Sequence, residues 1–259
     1  MTILDEIAQR TIERVAAAKS KLGLEEIKSR ALSLPKGDHG FERALRGEDI
    51  AFICEVKKAS PSKGVIAEDF PYLRIAMDYE NAGAAAISCL TEPFWFLGSD
   101  EYLCEITQNV KIPVLRKDFT VDEYMIYEAK LLGASAVLLI CSILSERQLS
   151  EYLGIAHSLG LSALVEAHNK AEIETAVNIG AKIIGVNTRD LKTFNVDINN
   201  AAHLRALVPP DRIFVSESGI QTAEDVAGLR KIGANAALIG ETLMRAPDKS
   251  AKLAELRGG

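Results

Sequence analysis

Long hydrophobic runs are missing from these 259 residues; the longest, such as AVLLI over 136–140, are strand-sized, which excludes a helical membrane span. The opening stretch MTILDEIAQRTIERV carries acids early and has no apolar core, so it does not read as a secretory leader. The expected compartment is therefore the cytoplasm. No basic run exceeds two residues and the formal charge is −6, which disfavours nucleic acid and anionic membranes as partners. Cys54, Cys89, Cys104 and Cys141 lie far apart with no Cys-x-x-Cys spacing, so they read as reduced core thiols. His-Glu-x-x-His is absent and the four histidines are scattered, so no metal site is expected. The first strand is not followed by Gly-x-Gly-x-x-Gly, the turn that an open dinucleotide-binding sheet more often carries. Low-complexity segments and flexible linkers are lacking as well.

What is present is a repeat. Apolar residues make up 48% of the chain and charged residues 25%, the balance of an ordinary globular protein. Gly-Ala recurs at Gly83, Gly133, Gly180 and Gly233, at intervals of 50, 47 and 53 residues, and each time it leads into an apolar run. Each of these glycines follows a helix-like segment and suits a left-handed helix C-cap. The runs that follow are AAISCL, AVLLI, KIIGVN and AALIG; between them lie FICEV, IPVLRKD, LSALVE and RIFVSES. Runs with so little polar alternation suit a parallel sheet covered on both faces. Eight strand–helix units in this length predict a single (β/α)8 TIM barrel, over residues 49–259. Residues 1–48 do not fit the repeat. They read as an amphipathic helix with Ile3, Ile7, Ile12 and Val15 on one face, then a shorter helix closed by Pro35-Lys36-Gly37. This N-terminal helical extension is too short for its own core and is expected to pack on the barrel.

Barrels of this kind gather their chemistry at the C-terminal strand ends. Here those ends are ionisable. The first strand closes with Glu55, Lys57 and Lys58, the third with Arg116, Lys117 and Asp118, the fifth with Glu166 and the seventh with Glu217 and Ser218. The sixth ends at Asn187, shortly before Arg189. A period of two puts Glu55 and Lys57 on the face of Ile53, with Phe52 and Cys54 under the helices. A single charged strand end reads equally well as a surface salt bridge. Four alternate strands that all end this way would instead ring one cavity, an arrangement that is costly unless paired or used.

An anionic handle fits the glycines. Ser218-Gly219 precedes a helix start signalled by Thr222 and Asp225, and Gly240 sits at the last strand-to-helix turn. Loops after the seventh and eighth strands are the usual phosphate cradle of this architecture. Glu241 would repel a phosphate, so it is expected to offer only its amide while its side chain points away. His168 reads as a loop residue, and EPFWF (residues 92–96) as packing, with Phe94 or Phe96 placed to meet an aromatic ring at the mouth.

CEVKKASPSKG, AISCLTEPFWFLGS, PVLRKDF, ALVEAH, IGVNTRDL, VSESGI and ALIGETLM resemble, strand by strand and in order, the indole-3-glycerol-phosphate synthase family. The resemblance runs from Glu55 to Met244, and the helical extension is similar too. It implies a carboxy-lyase of tryptophan biosynthesis that closes the indole ring of 1-(2-carboxyphenylamino)-1-deoxyribulose 5-phosphate with loss of CO2 and water. No metal or organic cofactor is implied, and the one expected partner is a phosphorylated small molecule. The resemblance implies Lys117 as general acid, Lys57 steadying the substrate carboxylate, and Glu166 and Glu55 handling protons, with Glu166 the better base. It implies Asn187 and Ser218 as positioning groups and Arg189 near the aromatic carboxylate. Ser60, Gly219, Gly240 and Glu241 fall in the phosphate grip, and Glu217 in the substrate-binding set. A lysine serving as acid near neutral pH works best with its pKa lowered by a second ammonium, which a nearby carboxylate would oppose. A monomer is the working expectation for oligomeric state.

Three other readings stay open at this stage. A Schiff-base aldolase would use Lys117 or Lys57 as nucleophile. The sugar-isomerising neighbour in the pathway would need a Cys where Glu55-Val56-Lys57 stands. A non-catalytic barrel could simply bind a phosphorylated ligand.

Overall fold

Residues 2–187 and 198–258 are described by the computed structural model of the chain. The N-terminal extension forms helix α1 (Ile3–Lys21), α2 (Leu24–Ser33) and the short α3 (Gly40–Ala44). α1 starts where Thr2 and Asp5 close a capping box, satisfying amides that the first turn cannot pair internally. The first barrel strand is β1 (Ala51–Val56). A two-stranded ribbon follows, β2 (Ala59–Ser60) against β3 (Gly64–Val65), and then α4 (Tyr72–Asn81). The repeat continues as β4 (Ala86–Leu90), α5 (Asp100–Asn109), β5 (Val114–Lys117), α6 (Tyr124–Leu131), β6 (Ala136–Ile140) and α7 (Glu146–Ser158). The second half runs β7 (Ser162–Ala167), α8 (Lys170–Asn178), β8 (Ile183–Asn187), α9 (Ile198–Arg205), β9 (Ile213–Glu217) and α10 (Ala223–Lys231). It closes with β10 (Ala236–Ile239), α11 (Glu241–Arg245) and α12 (Lys249–Arg257).

Eight strands close into a parallel barrel in the order β1-β10-β9-β8-β7-β6-β5-β4, with β4 paired back to β1. The expected TIM barrel is therefore the observed fold. The ribbon in the first loop was not foreseen, because two-residue strands carry no readable periodicity. The Gly-Ala repeat has the predicted cause. Gly83, Gly133, Gly180 and Gly233 all have φ between 74° and 83°. In each, the amide of the following alanine reaches back to a carbonyl five residues earlier, as in Ala84 to Tyr79 and Ala134 to Ala129. A side chain at the glycine would be strained there, so the cap selects the residue.

Strand parity separates two apolar layers. Ala51, Ile53, Leu115, Leu138, Leu164, Val215 and Leu238 fill the barrel interior, while Phe52, Cys54, Val56, Leu139, Val165 and Phe214 pack beneath the helices. Phe41 and Leu45, at and just after α3, join the interior layer, and the Glu42 amide bonds Ser162 at the start of β7. α3 thus plugs the bottom of the barrel. α1 lies at the other end, where Ile3, Leu4 and Ile7 line the mouth. Cys54 and Cys89 are buried thiols, and Cys104 and Cys141 are partly covered. Among the described residues no helix is long and apolar enough to cross a membrane.

Candidate active site

A cavity of about 960 Å³ opens at the C-terminal ends of the strands. Its floor is the ionisable ring anticipated from strand parity. Glu55 of β1, Lys117 of β5, Glu166 of β7 and Glu217 of β9 all line it, and they come from alternate strands of the barrel order. Lys117 Nζ sits 3.2 Å from Glu166 Oε2 and 3.0 Å from Glu217 Oε2. Lys57 Nζ lies 2.5 Å from Glu55 Oε2, and Ser88 approaches the other Glu55 oxygen at 3.5 Å. Asn187 donates to Glu166 Oε1 at 3.1 Å and accepts from Ser218 Oγ at 2.9 Å, a relay from the last loops to the carboxylate.

Three buried carboxylates thus face two largely buried ammonium groups on the cavity floor. Burial works against the charge of Lys117, but Glu217, Glu166 and Glu55 outweigh it and hold the ammonium above the ordinary lysine range. Of the two opposing influences weighed from the sequence, the carboxylates prevail, because Lys57 is committed to Glu55. Glu166 is buried too, yet Lys117 and His168 keep its carboxyl well below the usual range. Glu217 takes the excess negative charge of the ring. Burial pushes it up, Lys117 pulls back, Glu166 and Glu55 push again, and the balance stands at about 7.

The remaining expected residues divide by place. Ser60 is buried on the ribbon and borders the cavity with Gly219, Gly240 and Glu241. Ser218 and Gly219 are consecutive left-handed residues, φ 69° and 77°, a turn that strains the serine and that suits the glycine. Asp225 and Thr222 cap the helix that follows, as the sequence signalled. Thr242 Oγ donates to the Ile220 carbonyl at 2.6 Å, joining the last two loops. The Glu241 side chain has cationic partners of its own. Arg245 holds it at 3.0 Å and Lys63 faces it at 3.6 Å, so its charge is neutralised where it stands. Glu217, anticipated in the substrate and phosphate set, borders the same cavity with its carboxylate on Lys117. Arg189 lies outside the described residues.

Gly240 has a second reason to be glycine. A Cβ there would run into the Glu55 carboxylate and the Lys57 ammonium. The pair needs that space to reach the cavity.

Several residues outside the expected site set stand around the ring. His168 stands between Glu166 and Glu172, 3.3 Å from each. Arg14 of α1 binds Asp118, the neighbour of Lys117, through two hydrogen bonds. Arg116 points outward beneath the helices and bonds Asp100 and Glu128, both at 2.7 Å. Ile3, Leu4, Ile7, Phe96 and Phe119 form an apolar wall to the cavity, whereas Phe94 is half exposed under Arg10. Glu92 fixes that wall's loop by accepting the amides of Phe94, Trp95 and Phe96 at 2.8–2.9 Å. Among the described residues no three His, Cys, Asp or Glu side chains converge as metal ligands.

Fold and site together define a (β/α)8 barrel with ammonium and carboxylate groups juxtaposed at the C-terminal ends of its strands. The family model described as indole-3-glycerol phosphate synthase matches residues 4–256. The chain is 58% identical over 257 residues to the indole-3-glycerol phosphate synthase of Ruminiclostridium cellulolyticum, covering 99% of each chain. It is 49% identical over 267 residues to that of Lachnoclostridium phytofermentans, covering 98% of each. Among solved structures, 3-hexulose-6-phosphate synthase from Salmonella typhimurium superposes with a TM-score of 0.67 at 12% identity, over 81% of this chain and 97% of that one; this likeness is one of fold. The chain belongs to the indole-3-glycerol phosphate synthase family.

Proposed function

We propose that this chain performs its family's ring closure in the cavity at the barrel mouth, with Lys117 as general acid and Glu166 as general base. The activity is that of a carboxy-lyase of tryptophan biosynthesis acting on a phosphorylated small molecule. In this reading the phosphate of 1-(2-carboxyphenylamino)-1-deoxyribulose 5-phosphate sits at Ser60, Gly219, Gly240 and Glu241, with Lys63 and Arg245 offsetting the glutamate. The aromatic ring lies along the apolar wall of Ile7, Phe96 and Phe119, and Lys57 steadies its carboxylate.

The observation that carries the assignment is the contact of Lys117 with Glu166 at 3.2 Å. As the ring carbon attacks the substrate carbonyl, Lys117 delivers a proton to the carbonyl oxygen. Loss of CO2 follows. In the dehydration the hydroxyl leaves as water with a second proton, given by Lys117 once solvent has recharged it, while the ring proton passes to Glu166. A base in contact with the spent acid can return that proton, and the one proton that loss of CO2 from a carboxylate consumes overall is drawn from solvent. The high proton affinity of Lys117 favours that return and makes the donation step depend on charge that substrate brings. Glu55 supports Lys57, and Asn187 and Ser218 aim Glu166.

The proposal takes the protein as a cytoplasmic monomer, with residues 1–48 an appendage and 49–259 the catalytic unit. Its acidic composition and the helix α1 that walls the cavity support this. The test is turnover of the open-chain substrate followed by indole fluorescence. The wild type should convert it, and Glu166→Gln should lose about 100-fold or more in kcat. Near-normal turnover in that variant removes the base assignment. Borohydride added with substrate should trap no adduct; a trapped lysine would favour the Schiff-base alternative.

A further inference from the structure

The ring described above has one more cation beside it. His168 follows Glu166 by two residues, so strand parity turns both toward the same side. Its Nε2 is 3.3 Å from Glu166 Oε1, and its Nδ1 is 3.3 Å from Glu172 Oε2. The contact with Glu166 lacks the alignment of a hydrogen bond, so it acts chiefly through charge. Glu172 is itself held, accepting from the His168 amide and from Asn169 Nδ2, both at 2.7 Å. Asn169 caps α8 through the Glu172 amide, so the first turn of that helix is the bracket.

The consequence concerns what happens when the acid is spent. At rest, Lys117 neutralises one oxygen of Glu166. Once Lys117 has given its proton away, a carboxylate that is only 5% exposed loses its ammonium partner. A buried carboxylate without a cation takes up a proton from any source and stops being a base. We propose that His168 is a positioning residue whose imidazolium, held by Glu172, keeps Glu166 a carboxylate through that interval. The inference rests on the base assignment made for Glu166.

The surroundings are consistent with a standing charge on His168. Burial opposes it, but the Glu166 and Glu172 carboxylates outweigh burial and push the imidazole up to about 10. Among the described residues, the other ionisable groups of the charged ring are Lys117 on β5, Glu217 on β9, Glu55 on β1 and Lys57 just after it, with neutral Asn187 on β8. Cys141, after β6, bonds the Glu172 carbonyl, and burial first and then Glu172 and Glu166 push its thiol up to about 12, so it stays neutral. A mere helix bracket would need only the Glu172 contacts and would be indifferent to the charge on the ring.

The experiment is the pH profile of kcat, which reports the bound complex, for the full chain carrying His168→Gln and, separately, His168→Lys. With the cation gone, Glu166 binds its proton more tightly, so the acid limb should move up by about one pH unit. Turnover should fall roughly tenfold at the acidic end and recover at high pH, with KM within about twofold, because His168 does not touch substrate. The lysine variant should restore the limb. An unmoved limb in a folded glutamine variant overturns the inference. Nitrogen NMR of the wild-type imidazole gives a second reading: it should be charged at about pH 8, and a neutral ring there overturns the inference as well. Glu166→Gln separates the two levels. If it retains turnover, the base assignment fails; if it is inactive while His168→Gln keeps the wild-type limb, only the role of His168 fails.

Discussion

Arg14, on the first helix, grips Asp118 at the end of the third barrel strand with hydrogen bonds of 2.7 and 2.8 Å across 104 residues of sequence. Asp118 also accepts from Thr91 Oγ1 at 2.6 Å and is itself 2% exposed. It is adjacent to Lys117, so the extension is anchored beside the acid. Arg14→Ala leaves a buried carboxylate with Thr91 and a more distant Arg116 at 4.0 Å. A loss of about 2 kcal/mol is expected, toward the low end for a broken buried pair because those partners remain. Urea unfolding checks it, and a several-fold lower kcat should accompany it. Unchanged stability would mean that the helix is tethered elsewhere, for instance by Lys19 on Asp122 at 2.7 Å.

Lys117→Met removes the proposed acid and keeps an apolar stem of similar length. Turnover should drop by about 100-fold or more, with product-like ligands still bound. The same change should raise the proton affinity of Glu166, which loses its main attractive partner. Single-turnover fluorescence and ligand titration separate the two effects. A variant that binds normally and turns over normally would remove Lys117 from the chemistry.

Glu217→Gln tests the crowded carboxylates through stability. The carboxyl of Glu217 stands at about 7 in the folded chain against an ordinary value of 4.5. Between those values the folded state holds more protons than the unfolded state, so wild-type stability falls as pH rises through this window. Glutamine cannot ionise. Its stability relative to wild type should therefore improve from pH 5 to pH 8, by on the order of 2 kcal/mol. A difference that stays flat over the range would show that Glu217 does not titrate there. Turnover should fall at the same time, since Lys117 loses one of its two carboxylate contacts.

Gly240→Ala places a methyl group where the Glu55 carboxylate and the Lys57 ammonium now meet. Either the pair swings aside or the last loop shifts. KM should rise by about tenfold, with a smaller loss in kcat, because both the carboxylate site and the phosphate turn are disturbed. Steady-state kinetics decides; a kcat loss with KM unchanged would place the glycine outside substrate binding.

The parts of the site that were legible in the sequence are those that obey local rules. Parity put Glu55 and Lys57 on the face of Ile53, and all three prove to share the barrel side. Parity also separates inward Lys117 from outward Arg116. The turn at Ser218-Gly219 and the cap at Thr222-Asp225 follow from residue type. What parity cannot supply is a partner. It gives a direction for Glu217 but not that its oxygen ends on Lys117, and it aims His168 without naming Glu172 as its second contact. The direction for Lys117 stayed open in the sequence for this reason: its charge environment depends on which of several converging groups lies within 3–4 Å.

Sequence alone determined the closed barrel, its eight strands, the end at which the ionisable residues gather and the glycines that cap each helix, because periodicity and backbone stereochemistry act over a few residues. Only the tertiary structure decided how those charges pair. Lys57 goes to Glu55, Lys117 to Glu166 and Glu217, His168 to Glu166 and Glu172, and Arg14 to Asp118. Coulomb energies fall with distance and grow with burial, and both are set by strands and helices that meet from remote parts of the chain.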